Sequence, residues 1–338
     1  MPVIGNLSKG KQSERKPEKQ HILNTPFKIH ILGASAAIPT SARLTTTQLV
    51  QYHNKNFLLD CAEGTQKQLR IFKLPMMGIN HIFISHIHGD HYLGLPGLIF
   101  TMHLLGRKKP LHIYSPQGMQ EIIDLQYRIS NLVPGFEIRY HVISQGGQII
   151  YHDNQIMVES IEMEHTIETY GFLIREKQEP LKIRKKAIEK YNISVADIKR
   201  IKAGKDLKIK NNEVIPNSQL TLPPAIPRSY AFCSDTGFTS KYIEQIKHAD
   251  LLYHEATFLH DKVDIATQKT HCTALQAAQI ASQAQVRQLM IGHYSARYYE
   301  LSELLAEAKS EFENTIIAME GDVIELPYKP GEEALSEE

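Results

Sequence analysis

The segment HIFISHIHGDH, His81 to His91, constrains this chain more than any other. HIFIS is a short run of β-branched and aromatic residues, the pattern of a buried strand. It runs directly into four potential metal ligands within six residues: His86, His88, Asp90 and His91. An extended backbone sends residues 86, 88 and 90 to one side. A tight loop at Gly89 can then bring His91 round to a second centre. Imidazoles beside a carboxylate suit Zn2+, with Mn2+ or Fe as alternatives. The first histidine directly follows an apolar strand and a glycine sits inside the cluster, which favours ligation over a merely polar loop. Histidine, the commonest metal ligand, occurs 17 times in 338 residues.

The remaining pattern is many short strands with a few helices. FKIHIL from Phe27 alternates as a half-buried strand, and TTQLVQYHNKNFLLD reads as a hairpin turning at residues 54–56. LHIY (Leu111–Tyr114) and IMVESIEM (from Ile156) are further strands. YAFCSD, LLYHEA and QLMIGH are apolar runs that each end in polar or small residues. Residues 117–129 predict an amphipathic helix, and Thr273 can cap a helix over ALQAAQIASQA. Leu301, Leu304, Leu305, Ala308 and Phe312 share one helical face. The class is α/β, with helices covering sheets.

Several classes are excluded. No apolar run approaches the roughly 20 residues of a membrane-spanning helix. The first residues carry charge but no apolar centre, unlike a secretory signal. Cys61, Cys233 and Cys272 are too widely spaced for a disulfide framework or a CxxC zinc site. The expectation is a soluble, cytoplasmic protein without a membrane anchor.

The formal net charge of +1 is unevenly spread. Residues 1–24, polar and net basic, read as a disordered leader, and residues 329–338 read as an acidic tail. Residues 182–210 hold 11 basic and 3 acidic groups. This stretch has few large apolar residues in any core-forming pattern. It is expected to be an insertion, at about 175–215, that projects from the body and meets an anionic partner.

HxHxDH after a strand resembles the metallo-β-lactamase superfamily, and the longer SHIHGDHYLGLPGL is similar to the ribonuclease Z family of tRNA 3′-processing endonucleases. The resemblance covers about residues 27–327. It implies an αβ/βα sandwich of two mixed β-sheets flanked by helices, a nuclease domain over 25–328 and a projecting basic arm. It also implies two Zn2+ per chain, or Mn2+ or another divalent metal. His165 in EHTIETYGF, Asp235 in FCSDTGF and His293 in IGHYSARY match the remaining ligands. One centre is then His86, His88, His165 and Asp235. The other is Asp90, His91, His293 and the shared Asp235.

The same resemblance assigns roles. Asp90 is ligand and acceptor of the attacking water's proton, and His271 in KTHCTALQAA gives a proton to the leaving oxygen. His254 and Glu255 in HEATF support and orient His271. Asp60 and Glu63 in LLDCAEGTQ lie near the metal site, with Ala62 where the family usually has Gly. Lys182, Arg184, Lys185, Lys186, Lys190, Lys199, Arg200 and Lys202 form an RNA-binding arm that grips phosphates. Two departures stand out: the arm lacks a Gly-Pro-rich stretch, and a loop pattern PxKxRN survives only as Pro39 and Arg43, with Ser41 and Leu44 in place of Lys and Asn. The implied activity is removal of the 3′ trailer from precursor tRNA by a homodimer, cutting after the discriminator base to leave a 3′-hydroxyl. The alternatives are a phosphodiesterase or lactonase of the same superfamily acting on a small molecule, and a catalytically dead RNA-binding subunit.

Overall fold

A computed structural model describes residues 26–209 and 213–331. The expected leader (1–24) and the glutamates of the expected tail lie outside the described residues.

The described residues open with β1 (Phe27–Gly33), the hairpin β2 (Thr47–Tyr52) and β3 (Lys55–Leu59), then β4 (Ile79–Phe83), β5 (Leu111–Ser115) and β6 (Ile138–Val142). β7 (Ile149–His152), β8 (Ile156–Glu162) and β9 (Tyr170–Glu176) form an antiparallel meander. Four two-residue strands follow, β10 (Lys182–Ile183), β11 (Leu207–Lys208), β12 (Val214–Ile215) and β13 (Thr221–Leu222). The chain then forms β14 (Ser229–Cys233), β15 (Leu251–Glu255), β16 (Leu289–Gly292), β17 (Thr315–Ile317) and β18 (Val323–Glu325). Two seven-stranded sheets result, ordered β18-β1-β2-β3-β4-β5-β6 and β17-β16-β15-β14-β9-β8-β7. Both are mixed, and the expected sandwich is the observed fold.

The main apolar core lies between the sheets and extends to the alanine-rich helix Ala274–Gln283. A second core packs the helices Gly94–Leu104 and Met119–Ile129 against the outer face of the first sheet. The strands that position the site are parallel: β3-β4-β5 in one sheet and β14-β15-β16 in the other. β14, β15 and β16 are buried along their whole length, as parallel strands with both faces covered must be. Side chains at their carboxyl ends open into one crevice.

Local differences from the sequence expectation have simple causes. The hairpin turns at His53 and Asn54, earlier than expected, and His53 adopts the left-handed φ of 52° that such a tight turn needs. β4 ends at Phe83, so His86 and His88 lie beyond the paired strand and before the short helix Gly89–Tyr92, although His88 keeps an extended backbone.

The insertion has more internal order than its composition suggested. Ala187, Ile193, Ile201, Leu207, Ile215 and Leu220 are buried together as a core of their own. These residues are spread over several short elements, so no single periodic run announced them. The lobe is tied off by β10 pairing with β13, which extends it to Leu222. At the other end the body continues past residue 328, because Lys329 Nζ reaches Asp250 at 2.7 and 2.9 Å. Among the described residues, no helix is long and apolar enough to cross a membrane.

Candidate metal centre

Seven side chains from four separate segments converge at the crevice. His86 Nε2 lies 3.0 Å from His88 Nδ1 and 3.8 Å from Asp235 Oδ2, and His165 Nε2 lies 3.9 Å from the same oxygen. On the other side, Asp235 Oδ1 lies 3.1 Å from His293 Nε2 and 3.4 Å from His91 Nε2. Asp90 Oδ2 completes that group, 3.3 Å from His91 Nε2 and 3.9 Å from His293 Nε2. The two oxygens of Asp235 thus face two separate donor groups. His86, His88 and His165 form one cluster with ligand atoms within 4.8 Å of one another, and Asp90, His91 and His293 form another.

Neighbouring groups fix the imidazole tautomers. His91 Nδ1 donates to Asp60 Oδ2 at 2.7 Å, and His165 Nδ1 donates to the Thr270 carbonyl at 3.0 Å. His293 Nδ1 donates to Thr257 Oγ1 at 2.9 Å, and that hydroxyl donates onward to Glu255 Oε2 at 2.7 Å. His86 Nδ1 contacts Ser85 Oγ at 3.0 Å, and that hydroxyl donates to Asp60 Oδ2 at 2.9 Å. In each ring Nε2 is left to face the crevice. Orientation by an outer hydrogen bond is how metal-binding histidines are held. Asp60 and His293 both adopt left-handed backbone, φ 55° and 57°, a strain that surrounding structure must hold in place. Gly292 before His293 has no room for a Cβ, which would fall 2.3 Å from the Tyr253 ring.

Electrostatics agree with a cation site. Burial raises the pKa of Asp90 and of Asp235, but the surrounding histidines outweigh it and hold both carboxyls far below the usual range. Burial, with the nearby His91, pushes His86 well down, so it is neutral and able to ligate. At His91 the charges of Asp235 and Asp60 overcome burial and favour positive charge at this point. His91 Nε2 and His293 Nε2 are buried with no hydrogen-bond partner. Two orphaned imidazole nitrogens aimed at carboxylate oxygens fit divalent cations that accept mixed nitrogen and oxygen donors.

His271 borders this cluster, its ring 5.2 Å from that of His165 and 5.5 Å from that of His293. Its Nδ1 lies 2.7 Å from Glu255 Oε1. Burial lowers its pKa, but the Glu255 carboxylate more than compensates and raises it to about 9. Thr273 starts the next helix with a capping box closed by Gln276, which fixes the backbone beside His271.

Not every expected residue joins the site. His254 is buried, but its nitrogens bond the Tyr242 hydroxyl at 2.7 Å and the Glu255 carbonyl at 2.7 Å, and its ring does not reach His271. Successive residues of β15 face opposite ways, so only one of the pair can turn toward the crevice. Glu63 is exposed, and Asp60 alone makes the outer contact. Arg43 donates to the Tyr298 carbonyl and lies over the Tyr294 ring at 6.0 Å, so it staples its loop to the body. Within the lobe, Lys185, Lys186, Lys190, Lys199, Arg200 and Lys202 are exposed. Lys182 and Arg184 are half-buried and bond Tyr328 and the Thr221 carbonyl, so they are structural as well as basic. Sequence reasoning missed Ser85, Thr257 and the Ala37 amide, which donates to Asp90 Oδ2 at 2.9 Å. Only the place of Ser85 beside the motif could have signalled it.

A curated ribonuclease Z from Bacteroides fragilis (strain YCH46) is 44% identical to this chain over 301 residues, 89% of the chain and 99% of the relative. The chain belongs to the ribonuclease Z family. A ribonuclease Z from Porphyromonas gingivalis is 40% identical over 302 residues, again 89% of the chain and 99% of the relative. The short form of human tRNase Z superposes with a TM-score of 0.65 at 24% identity, covering 89% of this chain and 99% of that one, and so shares the fold. The metallo-β-lactamase fold protein YhfI of Bacillus subtilis does so with a TM-score of 0.64 at 19% identity, over 90% of this chain and all of that one. A family model described as the anti-Pycsar protein Apyc1 matches residues 27–182. As a member of the ribonuclease Z family, the protein is a metal-dependent hydrolase of the endoribonuclease class.

Proposed function

We propose that the protein removes the 3′ trailer from precursor tRNA, cutting after the discriminator base to leave a tRNA 3′-hydroxyl and a trailer 5′-phosphate. The observation that carries this reading is Asp235, whose two oxygens face two donor groups with the His271–Glu255 pair alongside. His86, His88, His165 and Asp235 would hold one Zn2+, and Asp90, His91, His293 and Asp235 a second, with Mn2+ an alternative. Bound there, divalent cations supply water activation near neutral pH and polarisation of the phosphoryl oxygen.

The protein's own groups do the rest. Asp90, ionised and anchored by the Ala37 amide, takes the proton of the attacking water. His271 stays protonated near neutral pH and gives its proton to the departing 3′-oxygen. Glu255 holds that imidazole by Nδ1, which leaves Nε2 to face the substrate. The exposed cations of the lobe, from Lys185 to Lys202, grip tRNA phosphates away from the cut.

The exposed apolar residues Leu93, which caps the helix Gly94–Leu104, and Phe100 and Leu104 within it recur at helical spacing and support a homodimer through that side. A tRNA substrate supports a cytoplasmic location. The deciding experiment is cleavage of a 3′-extended precursor tRNA with the product ends mapped to single nucleotides. A metal-dependent cut beside the discriminator establishes the reading. Turnover of a small phosphodiester or lactone without that cut replaces it with the small-molecule alternative.

A further inference from the structure

Arg297 stands at the edge of the candidate site with no role in the steps above. It is exposed, two residues beyond Ser295 in the turn that follows His293. Its Nε donates to Ser295 Oγ at 3.1 Å, and its guanidinium carbon lies 5.0 Å from the centroid of the Phe258 ring. Phe258 is buried, and its ring lies 6.2 Å from that of His271. Among the described residues no carboxylate pairs with Arg297. Its two terminal nitrogens therefore keep their donors for a pair of oxyanion oxygens, while the aromatic seat holds the planar guanidinium in place.

The direction of cleavage says which oxyanion. Water adds to phosphorus, the P–O3′ bond breaks, and the 3′-oxygen leaves with the proton of His271 while the phosphate stays on the trailer. The nucleoside that carries the leaving oxygen therefore lies against His271. The next anion on that side is this nucleoside's own 5′-phosphodiester. The loop that could otherwise supply cations has Ser41 where the family pattern has Lys, and its Arg43 is committed to Tyr298 and Tyr294.

We propose that the Arg297 guanidinium, seated on Phe258 beside His271, receives the phosphodiester one nucleotide upstream of the cut. The proposal rests on the tRNA-processing reading and adds a positioning residue to it. Bidentate recognition of phosphate needs arginine, since lysine offers only a point charge.

The test pairs Arg297→Ala and Arg297→Lys with a precursor tRNA carrying a neutral methylphosphonate at that one linkage. On unmodified precursor, Arg297→Ala is expected to lose about 10- to 100-fold in kcat/KM, the scale of a hydrogen bond to a charged group, and Arg297→Lys to recover part of it. The wild type should lose a similar factor when the linkage is neutralised. Arg297→Ala should lose at most about twofold more from the same modification, because the paired group is already gone. Equal sensitivity of wild type and Arg297→Ala to the methylphosphonate overturns the assignment while precursor cleavage by the wild type stands. Failure of the wild type to cut unmodified precursor overturns the reading beneath it.

Discussion

Glu255 Oε1 sits 2.7 Å from His271 Nδ1, while its other oxygen, through Thr257, is linked to His293. One buried carboxylate thus orients both the candidate proton donor and a candidate metal ligand. Its own charge is maintained against burial by His271 and by the Thr236 and Thr257 amides, at 3.0 and 3.1 Å.

Glu255→Gln should therefore alter the pH profile as well as the rate. In the proposed role His271 acts in its protonated form, so activity should hold below its pKa of about 9 and fall as pH rises through it. Removing the Glu255 charge lets burial dominate, and that fall should move to lower pH. His271→Ala should lose the step altogether, about 100- to 10,000-fold in kcat, with metal content and tRNA binding retained. Profiles of kcat/KM against pH for the three proteins check this. An alkaline limb that stays in place in Glu255→Gln would sink the assignment.

Metal content should respond differently to inner and outer contacts. Asp235→Asn removes charge from the oxygens that face both donor groups, and His86→Ala removes a nitrogen from one. Each should lower metal per chain and activity together. Asp60→Asn touches no metal but weakens the grip on His91 Nδ1. It should reduce metal affinity about 10- to 100-fold and regain activity at saturating metal. Metal analysis after dialysis, followed by titration with Zn2+, separates the two patterns.

Much of this site could be read from the sequence, because each ligand candidate follows a short apolar run. Asp235 and His293 lie just beyond fully buried parallel strands, and the runs that end in them pointed to their places. The pairing of Glu255 with His271 spans 16 residues and was expected only through family likeness. Both His254 and Glu255 were expected beside His271, and that only Glu255 reaches it was not legible, since strand alternation says that one of two neighbours faces the site but not which. The lobe's core was hidden for another reason. Ile193 lies between two helices, Ile201 on the second of them and Leu207 and Ile215 on two-residue strands, so they share no periodic run and meet only once the chain has folded.

The lobe should be separable from the chemistry. It is tied off by the two-stranded pair β10 and β13 and has its own apolar cluster. Replacing residues 182–222 with a short Gly-Ser linker should abolish precursor tRNA cleavage while turnover of bis(4-nitrophenyl) phosphate survives. In the intact protein, changing Lys185, Lys186 and Lys190 to Gln should weaken tRNA binding and reduce the slope of log K against log salt, by about 1 for each phosphate no longer neutralised. Binding isotherms over a salt series report both. An unchanged slope would mean that these lysines face solvent and not RNA.

Stability should carry its own pH signature, at histidines outside the candidate metal centre. His81, His112 and Tyr114, with His141, pack across β4, β5 and β6, and His112 Nδ1 lies 2.9 Å from His141 Nε2. Burial, and then the charges of His112 and His141, lower the His81 pKa to about 4. The unfolded chain takes up a proton at His81 near pH 6.5, whereas the folded protein does not until about pH 4. Unfolding free energy should thus be greatest above pH 6.5 and decline as pH falls toward 4, by about 1–3 kcal/mol for this residue. His81→Phe removes the titrating group and keeps a ring to pack against Tyr151. Urea unfolding at pH 7.5 and about pH 5 should show a smaller difference for His81→Phe than for the wild type. An equal difference in the two proteins would place the acid sensitivity elsewhere in the fold.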